Sequence, residues 1–318
     1  MRSSVHPKSL IALLVFVGCV GGAGSATAQS ASAPRSQAPQ PLQWSDDWRG
    51  MRAWEYPVSL GLMAGAFSAR FLLRPPPPNW VGVSDFEQSI VDRLAVRDNP
   101  AHSNIRQLSD LGFYGAMAYR LVDSALLPGL LHPDSWRVAW KMSWIDLEAL
   151  AVVAAVEWGT QIFVGRVRPT ALNCADPTRR GHLCDRQNPD YARSFIAGHT
   201  ATATAVAGLT CLHHGRLPLY GGGAADTLAC AALVMNALGN GVARVVSERH
   251  YPSDVLMGWG LGIAAGWVLP RALHYGWGEQ KPVETVGLPE VRERPALIFS
   301  VSPAIFDARP GLAVVGQF

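Results

Sequence analysis

Two histidines, two arginines and one aspartate are the residues in this sequence best suited to chemistry. They fall in three clusters. The first is Gly165-Arg166-Val167-Arg168-Pro169. The second is Ser194-Phe195-Ile196-Ala197-Gly198-His199-Thr200. The third is Arg244, followed by His250 and Asp254. Arginine carries a planar fork that grips tetrahedral oxyanions. His250 and Asp254 stand four apart, where a carboxylate can accept from one imidazole nitrogen and leave the other free to attack. His199 comes from a different segment. Two imidazoles on opposite sides of a phosphorus suit in-line displacement, one attacking and the other protonating the leaving oxygen. Each pattern alone is commonplace; a His-x-x-x-Asp is usually a surface pair on a helix. The combination and its order carry the weight.

Six apolar stretches of helical length must position these groups: Pro57 to Leu73, Leu108 to Leu131, Val138 to Val164, Phe195 to Leu212, Ala224 to Val242 and Ser253 to Leu273. Breakers separate them, among them Pro75-Pro76-Pro77-Pro78, His132-Pro133-Asp134, three glycines from Gly221 and His250-Tyr251-Pro252. If the last four run up and down, the end of the third, the start of the fourth, the end of the fifth and the start of the sixth share one face. All three clusters then meet. The starts of the fourth and sixth helices aim unpaired N–H groups and positive dipole ends into the same space, which favours an anion.

Composition sets the surroundings. Charged residues make up 16% of the 318, against about 25% in soluble domains, and the mean hydropathy is +0.12. The fourth and sixth stretches approach the ~20 apolar residues of a membrane span. Asp110, Asp123, Asp146, Glu148 and Glu157 interrupt the second and third, so these carboxylates must face the bundle interior or water. A membrane bundle and a soluble exported bundle are both open, with the membrane form favoured. A net charge of +3 without a basic run argues against nucleic acid.

Residues 1–28 read as a secretory signal, with Arg2 and Lys8, an apolar core from Leu10 to Val20 and a small-residue cleavage site at Ala26-Thr27-Ala28. Residues 29–45 read as a disordered linker, 46–275 as the helical domain and 276–318 as a tail. The tail holds strand-like Leu297 to Val301 and Leu312 to Val315, with Pro303 and Arg309-Pro310-Gly311 as turn residues. Trp44, Trp48 and Trp54 suit a membrane interface or a packed rim. In an exported chain Cys174 can pair with Cys184 and Cys211 with Cys230; four free thiols are the alternative. Their spacing does not suggest zinc.

The order Arg168-Pro169, Gly198-His199, then Arg244 with His250 and Asp254, resembles the type 2 phosphatidic acid phosphatase and vanadium haloperoxidase superfamily. Its motifs are Lys-x6-Arg-Pro, Pro-Ser-Gly-His and Ser-Arg-x5-His-x3-Asp. The resemblance covers Leu108 to Leu273. It implies an all-α six-helix bundle, embedded in a membrane, and phosphate removal from a lipid phosphate or pyrophosphate through a phosphohistidine, with no metal or other cofactor. Carried over, Arg168, Arg244 and the Gly198 N–H bind phosphate, His199 is the acid, His250 the nucleophile and Asp254 its orienting partner. The alternatives are a haloperoxidase, which would hold vanadate, and an impaired binder of phosphate lipids. A cleaved signal puts the mature N-terminus outside the cytoplasm; if Pro57 to Leu73 then spans, the pocket faces inward, and if that stretch lies flat or is buried, the pocket faces the periplasm of a bacterial-type inner membrane, the side that a Cys174–Cys184 disulfide favours. A soluble periplasmic protein is the alternative.

The motif lysine falls on Gln161, its Pro-Ser on Ile196-Ala197 and the last-motif serine on Ala243. The lysine and serine contacts to phosphate are together worth about 2–4.5 kcal/mol, against barrier reductions of roughly 8–23 kcal/mol in enzymes. The departures should therefore weaken activity without abolishing it. Arg166 and Arg193 are candidates for a replacement charge.

Overall fold

A computed structural model describes residues 40–73, 77–97, 99–172, 184–186, 188–278, 298–306 and 309–317. Each of the six apolar stretches is mostly helical. They correspond to α1 (Glu55–Phe71), α3 (Asn99–Ala125) with the single turn α4 (Leu127–Leu131), α5 (Trp136–Val164), α7 (Gly198–Arg216), α8 (Ala224–Val246) and α9 (Pro252–Ile263). Pro128 divides α3 from α4, since proline cannot donate to the preceding turn. Two π-helical turns, Ala264–Val268 and Arg271–Tyr275, continue α9 around Pro270, whose missing N–H breaks the ordinary ladder.

The described chain departs from the six-helix reading in two further helices. Helix α2 (Asp85–Leu94) is short and mostly polar, so a search for long apolar runs passes over it. Ser84 caps it, its Oγ accepting from Glu87 N at 3.3 Å. Helix α6 (Pro169–Leu172) is a single turn. The start of the fourth stretch is also corrected: Phe195 and Ile196 precede the helix, and Ala197 is its N-cap in an extended conformation.

Helix α7 is the axis of the bundle and packs against α3, α5, α8 and α9. It is built mostly from alanine, threonine and glycine, which lets its neighbours approach closely. Gly258, Gly262 and Gly266 line up on α9 and its continuation at every fourth residue. A methyl group at any of them would overlap Ala197 O, the Thr204 side chain or the Ala205 backbone. This is the small-x-x-x-small contact of membrane bundles. Leu209 and Leu212 of α7 join Val138, Met142, Ile145 and Tyr275 in the main core. A disulfide ties Cys211 of α7 to Cys230 of α8. Cys184 is also disulfide-bonded, while Cys174 lies outside the described residues.

Three helical segments are long and apolar enough to cross a membrane: Trp136–Val164, Ala224–Val246 and Pro252–Tyr275. Phe163, Leu228, Met235 and Leu256 point outward from them. The charges inside the apolar stretches turn inward, as burial in an apolar setting requires. Asp146 is paired with Arg120 at 2.8 Å and His213 at 2.9 Å, and Glu148 with His274 at 2.7 Å.

The expected linker is partly corrected. Leu42 is buried, its N–H donates to Ser135 Oγ at 2.8 Å, and Trp44 and Trp48 pack against Tyr275, the first tilted and the second edge-on. Residues 40–45 therefore belong to the packed unit, whereas the signal and the rest of the linker lie outside the described residues. Trp54 is exposed. In the tail, Ile298–Phe306 pairs antiparallel with Arg309–Gln317. Pro303 and Arg309-Pro310-Gly311, read as turn residues, lie within these strands.

Candidate active site

The first cluster follows α5. Gly165 ends that helix in the left-handed region at φ 55°, a conformation glycine adopts without a Cβ penalty. The chain then runs beside Trp80: Trp80 N donates to Gly165 O at 3.2 Å and Val167 N to Trp80 O at 3.0 Å. This sends Arg166 and Arg168 inward on different errands. Arg168 Nε donates to Asp190 O at 2.8 Å and Nη1 to Arg249 O at 3.3 Å. Arg166 Nη1 donates to Asp254 Oδ1 at 2.5 Å and Ser253 Oγ at 2.7 Å, and Nη2 to Glu87 Oε2 at 2.9 Å. Its guanidinium lies between Trp80 and Tyr251, at 4.1 and 4.2 Å from the ring centres. Arg166 is therefore committed to Asp254 and Glu87 and supplies no spare charge. Arg193 is buried with Nη1 unpartnered.

The third cluster corrects the sequence reading of His250 and Asp254. Their spacing of four places them together only on a helix, and α9 begins after His250, with Tyr251 as N-cap. His250 Nδ1 donates to Ser194 O at 2.6 Å and stands 3.8 Å from Asp254 Oδ2, beyond hydrogen-bond reach. A carbonyl only accepts, so Nδ1 carries the proton and Nε2 keeps its lone pair. Asp254 instead caps α9 through Tyr251 N at 2.9 Å and accepts from Ser194 Oγ at 2.6 Å. Ser194 thus touches both residues, His250 by its carbonyl and Asp254 by its hydroxyl. The loop before His250 is held from behind, since Arg249 N and His250 N both donate to Arg244 O, at 3.0 and 3.2 Å.

The second cluster starts α7. Gly198 and His199 occupy its first turn, and the Glu157 carboxylate lies so close to Gly198 that a Cβ there would overlap it. Gln161, at the motif-lysine position, donates through Nε2 to Glu157 Oε1 at 3.1 Å and Ile196 O at 3.3 Å. His199 stacks on Phe113, ring centres 4.3 Å apart, with Nε2 3.2 Å from Asp110 Oδ1. Arg244 Nη1 donates to the same Asp110 oxygen at 2.9 Å.

The three clusters lie within electrostatic reach of one another. The charges of Arg168, Arg244 and His199 all act on His250, and those of Arg168 and Arg244 act on His199. Burial, then Arg168 and Arg244, hold the His250 pKa well below its usual value against the opposing bond to Ser194 O. Neutral imidazole is the nucleophilic form, so this shift favours attack. Burial and neighbouring Arg249 likewise pull Arg168 down, and burial with Arg244 brings Arg249 to about 10. Guanidinium does not deprotonate in proteins, so these shifts mark clustered, buried positive charge that Asp190 only partly balances. The Nε atoms of Arg244 and Arg249 are buried without a partner among the described residues. An oxyanion here would relieve both.

Sequence reasoning missed Ser194 as an anchor, Arg249 as a third buried guanidinium, and Asp110, Phe113 and Glu87 from outside the clusters. Only Asp110 left a signal, as a carboxylate in an apolar stretch that needs a partner.

Part of the chain is similar to known proteins. Residues 144–277 match the family model described as the PAP2 superfamily. A lipid A 1-phosphatase of Porphyromonas gingivalis is 40% identical over 84 residues, 26% of this chain and 17% of that protein. The chain thus matches under a fifth of that relative's length. The crystal structure of a transmembrane PAP2-type phosphatidylglycerolphosphate phosphatase from Bacillus subtilis aligns with a TM-score of 0.42 at 16% identity, covering 68% of this chain and 92% of the other. The stretch that matches the PAP2 superfamily model holds Arg168, His199, Arg244 and His250.

Proposed function

We propose that this protein is a membrane phosphatase that removes phosphate from a lipid phosphate or pyrophosphate, of the phosphatidic acid or undecaprenyl pyrophosphate type. The observation that carries this reading is His250, pinned through Nδ1 to Ser194 O, with no hydrogen bond to Nε2 among the described residues, and acted on by the charges of Arg168 and Arg244. The lipid A 1-phosphatase relative and the three apolar helices favour a lipid substrate.

The substrate phosphate sits between the arginines, with the N–H groups at the start of α7, Gly198 included, on one side. His250 Nε2 attacks phosphorus. The bond from phosphorus to the lipid oxygen breaks as His199 protonates that oxygen, which leaves a phosphohistidine. Water, deprotonated by His199, then attacks phosphorus and releases inorganic phosphate and free His250. Asp254 acts at one remove, by fixing Ser194 and Arg166. Gln161 stands where a lysine would add charge, so phosphate is held less tightly. The disulfide at Cys184, close in sequence to the pocket loop, favours an active site facing the periplasm across a bacterial-type inner membrane.

The test is phosphate release from phosphatidic acid and undecaprenyl pyrophosphate by the full chain in detergent, with chelator and no added metal. Turnover by the parent protein and a loss of at least ~100-fold in His250→Ala are expected, in keeping with the ~10⁶-fold penalties for nucleophile removal elsewhere. Full turnover by His250→Ala would refute the reading.

A further inference from the structure

Helix α3 lies outside the stretch matched by the PAP2 family model, yet it contributes two side chains to the pocket. Asp110 and Phe113 are three residues apart and so share one face of the helix. Phe113 lies against the His199 ring at an interplanar angle of 31°. Asp110 Oδ1 is 3.2 Å from His199 Nε2 and 2.9 Å from Arg244 Nη1. Its other oxygen is 3.9 Å from Arg106 Nη1. One carboxylate oxygen therefore joins the candidate proton donor to a candidate phosphate-binding arginine.

We propose that Asp110 is a positioning residue for His199: it holds the Nε2 edge of the ring, so that the imidazolium forms and turns Nδ1–H toward the leaving oxygen. The inference rests on the phosphatase reading above.

A donor must first hold a proton. Burial first, then the charges of Arg244 and Arg168, pull the His199 pKa down to about 4. Asp110 is the carboxylate in contact with it and opposes this in part; the negative charge of a bound phosphate between the arginines adds the rest. Phe113 fixes the plane of the ring, so the donor direction is set before substrate arrives. As His250 Nε2 forms its bond to phosphorus, the electron pair of the breaking bond goes to the lipid oxygen. The Nδ1 proton of His199 follows it, leaving a neutral ring whose Nε2–H still faces Asp110. Water returns a proton to Nδ1 in the second step. Asp110 stays a carboxylate throughout, as does the third member of other acid–base triads.

A merely structural role would affect all substrates alike, and the leaving group separates the two cases. Nitrophenolate leaves without a proton, whereas the glycerolipid alkoxide of phosphatidic acid needs one. In the full chain, Asp110→Asn should lower kcat on phosphatidic acid by about 10–100-fold, within the ~10²–10⁴-fold that acid–base catalysis supplies. It should lower kcat on p-nitrophenyl phosphate by a severalfold smaller factor, because there only the shared water step calls on His199. KM is expected to rise for both, because Arg244 also loses a partner. Phe113→Leu, which keeps the carboxylate but frees the ring, should move the ratio of the two kcat values the same way by a smaller factor. Equal losses on both substrates, or no loss on either, would overturn the inference even with an active parent protein. No phosphate release from either substrate by the parent would instead overturn the phosphatase reading, and this inference with it.

Discussion

Replacing Arg166 with methionine should cost most of the stability margin of the pocket. The guanidinium is fully buried, donates to Asp254 at 2.5 Å and Glu87 at 2.9 Å, and lies between two aromatic rings. Methionine fills part of the volume but leaves the Asp254 carboxylate buried without its counter-ion. Breaking such a pair from one side costs about 3–5 kcal/mol. At ~2–4 °C per kcal/mol for a domain of this size, the thermal midpoint should fall by about 6–20 °C. The assay is intrinsic fluorescence during heating in detergent at one fixed scan rate, since unfolding of such proteins is often irreversible. The eleven tryptophans, Trp80 beside Arg166 among them, supply the signal. The double variant with Asp254→Asn should lose less than the sum of the single losses, by about 0.5–3 kcal/mol of coupling. A midpoint within ~2 °C of the parent for Arg166→Met would refute the reasoning. Asp254 would then have to serve His250 directly and not through the arginine.

Two further outcomes follow from the pocket. Gln161→Lys should raise kcat/KM on phosphatidic acid, because it adds a positive charge where the neutral Gln161 now donates to the Glu157 carboxyl and the Ile196 carbonyl; a large loss in steady-state assays would show that Gln161 has a role of its own. The His250 pKa is depressed in the folded protein below its ordinary 6.5. The neutral nucleophile therefore survives below that pH, and the acidic limb of kcat/KM that reports on it should lie below 6.5. By the same sign, the unfolded chain binds the extra proton first, so the stability linked to His250 falls as pH drops through 6.5. An acidic limb above that value, in a profile of the parent protein, would contradict the assignment.

The long helices were legible because proline, glycine and apolar length announce them. Their up-and-down order was enough to bring Arg168, His199, Arg244 and His250 to one end of the bundle. What the sequence hid depends on single backbone choices. The spacing of His250 and Asp254 suggests a helical pair, but the helix starts at Pro252, two residues after His250, and the histidine turns to the Ser194 carbonyl. Arg166 and Arg168 look equivalent on the page; only the left-handed turn at Gly165 and the run beside Trp80 send one to Asp254 and the other toward the pocket. Helix α2 is too short and polar to show as an apolar stretch, so Glu87 could not be anticipated. The glycines at 258, 262 and 266 were visible at a spacing of four and would have foretold the tight contact of α9 with α7.

Rapid quenching of the enzyme during turnover of phosphate-labelled substrate tests the nucleophile most directly. An acid-labile, base-stable label on the peptide that contains His250, absent from His250→Ala, is the expected result. Label on any other residue, or none in an enzyme that is turning over, would contradict the account.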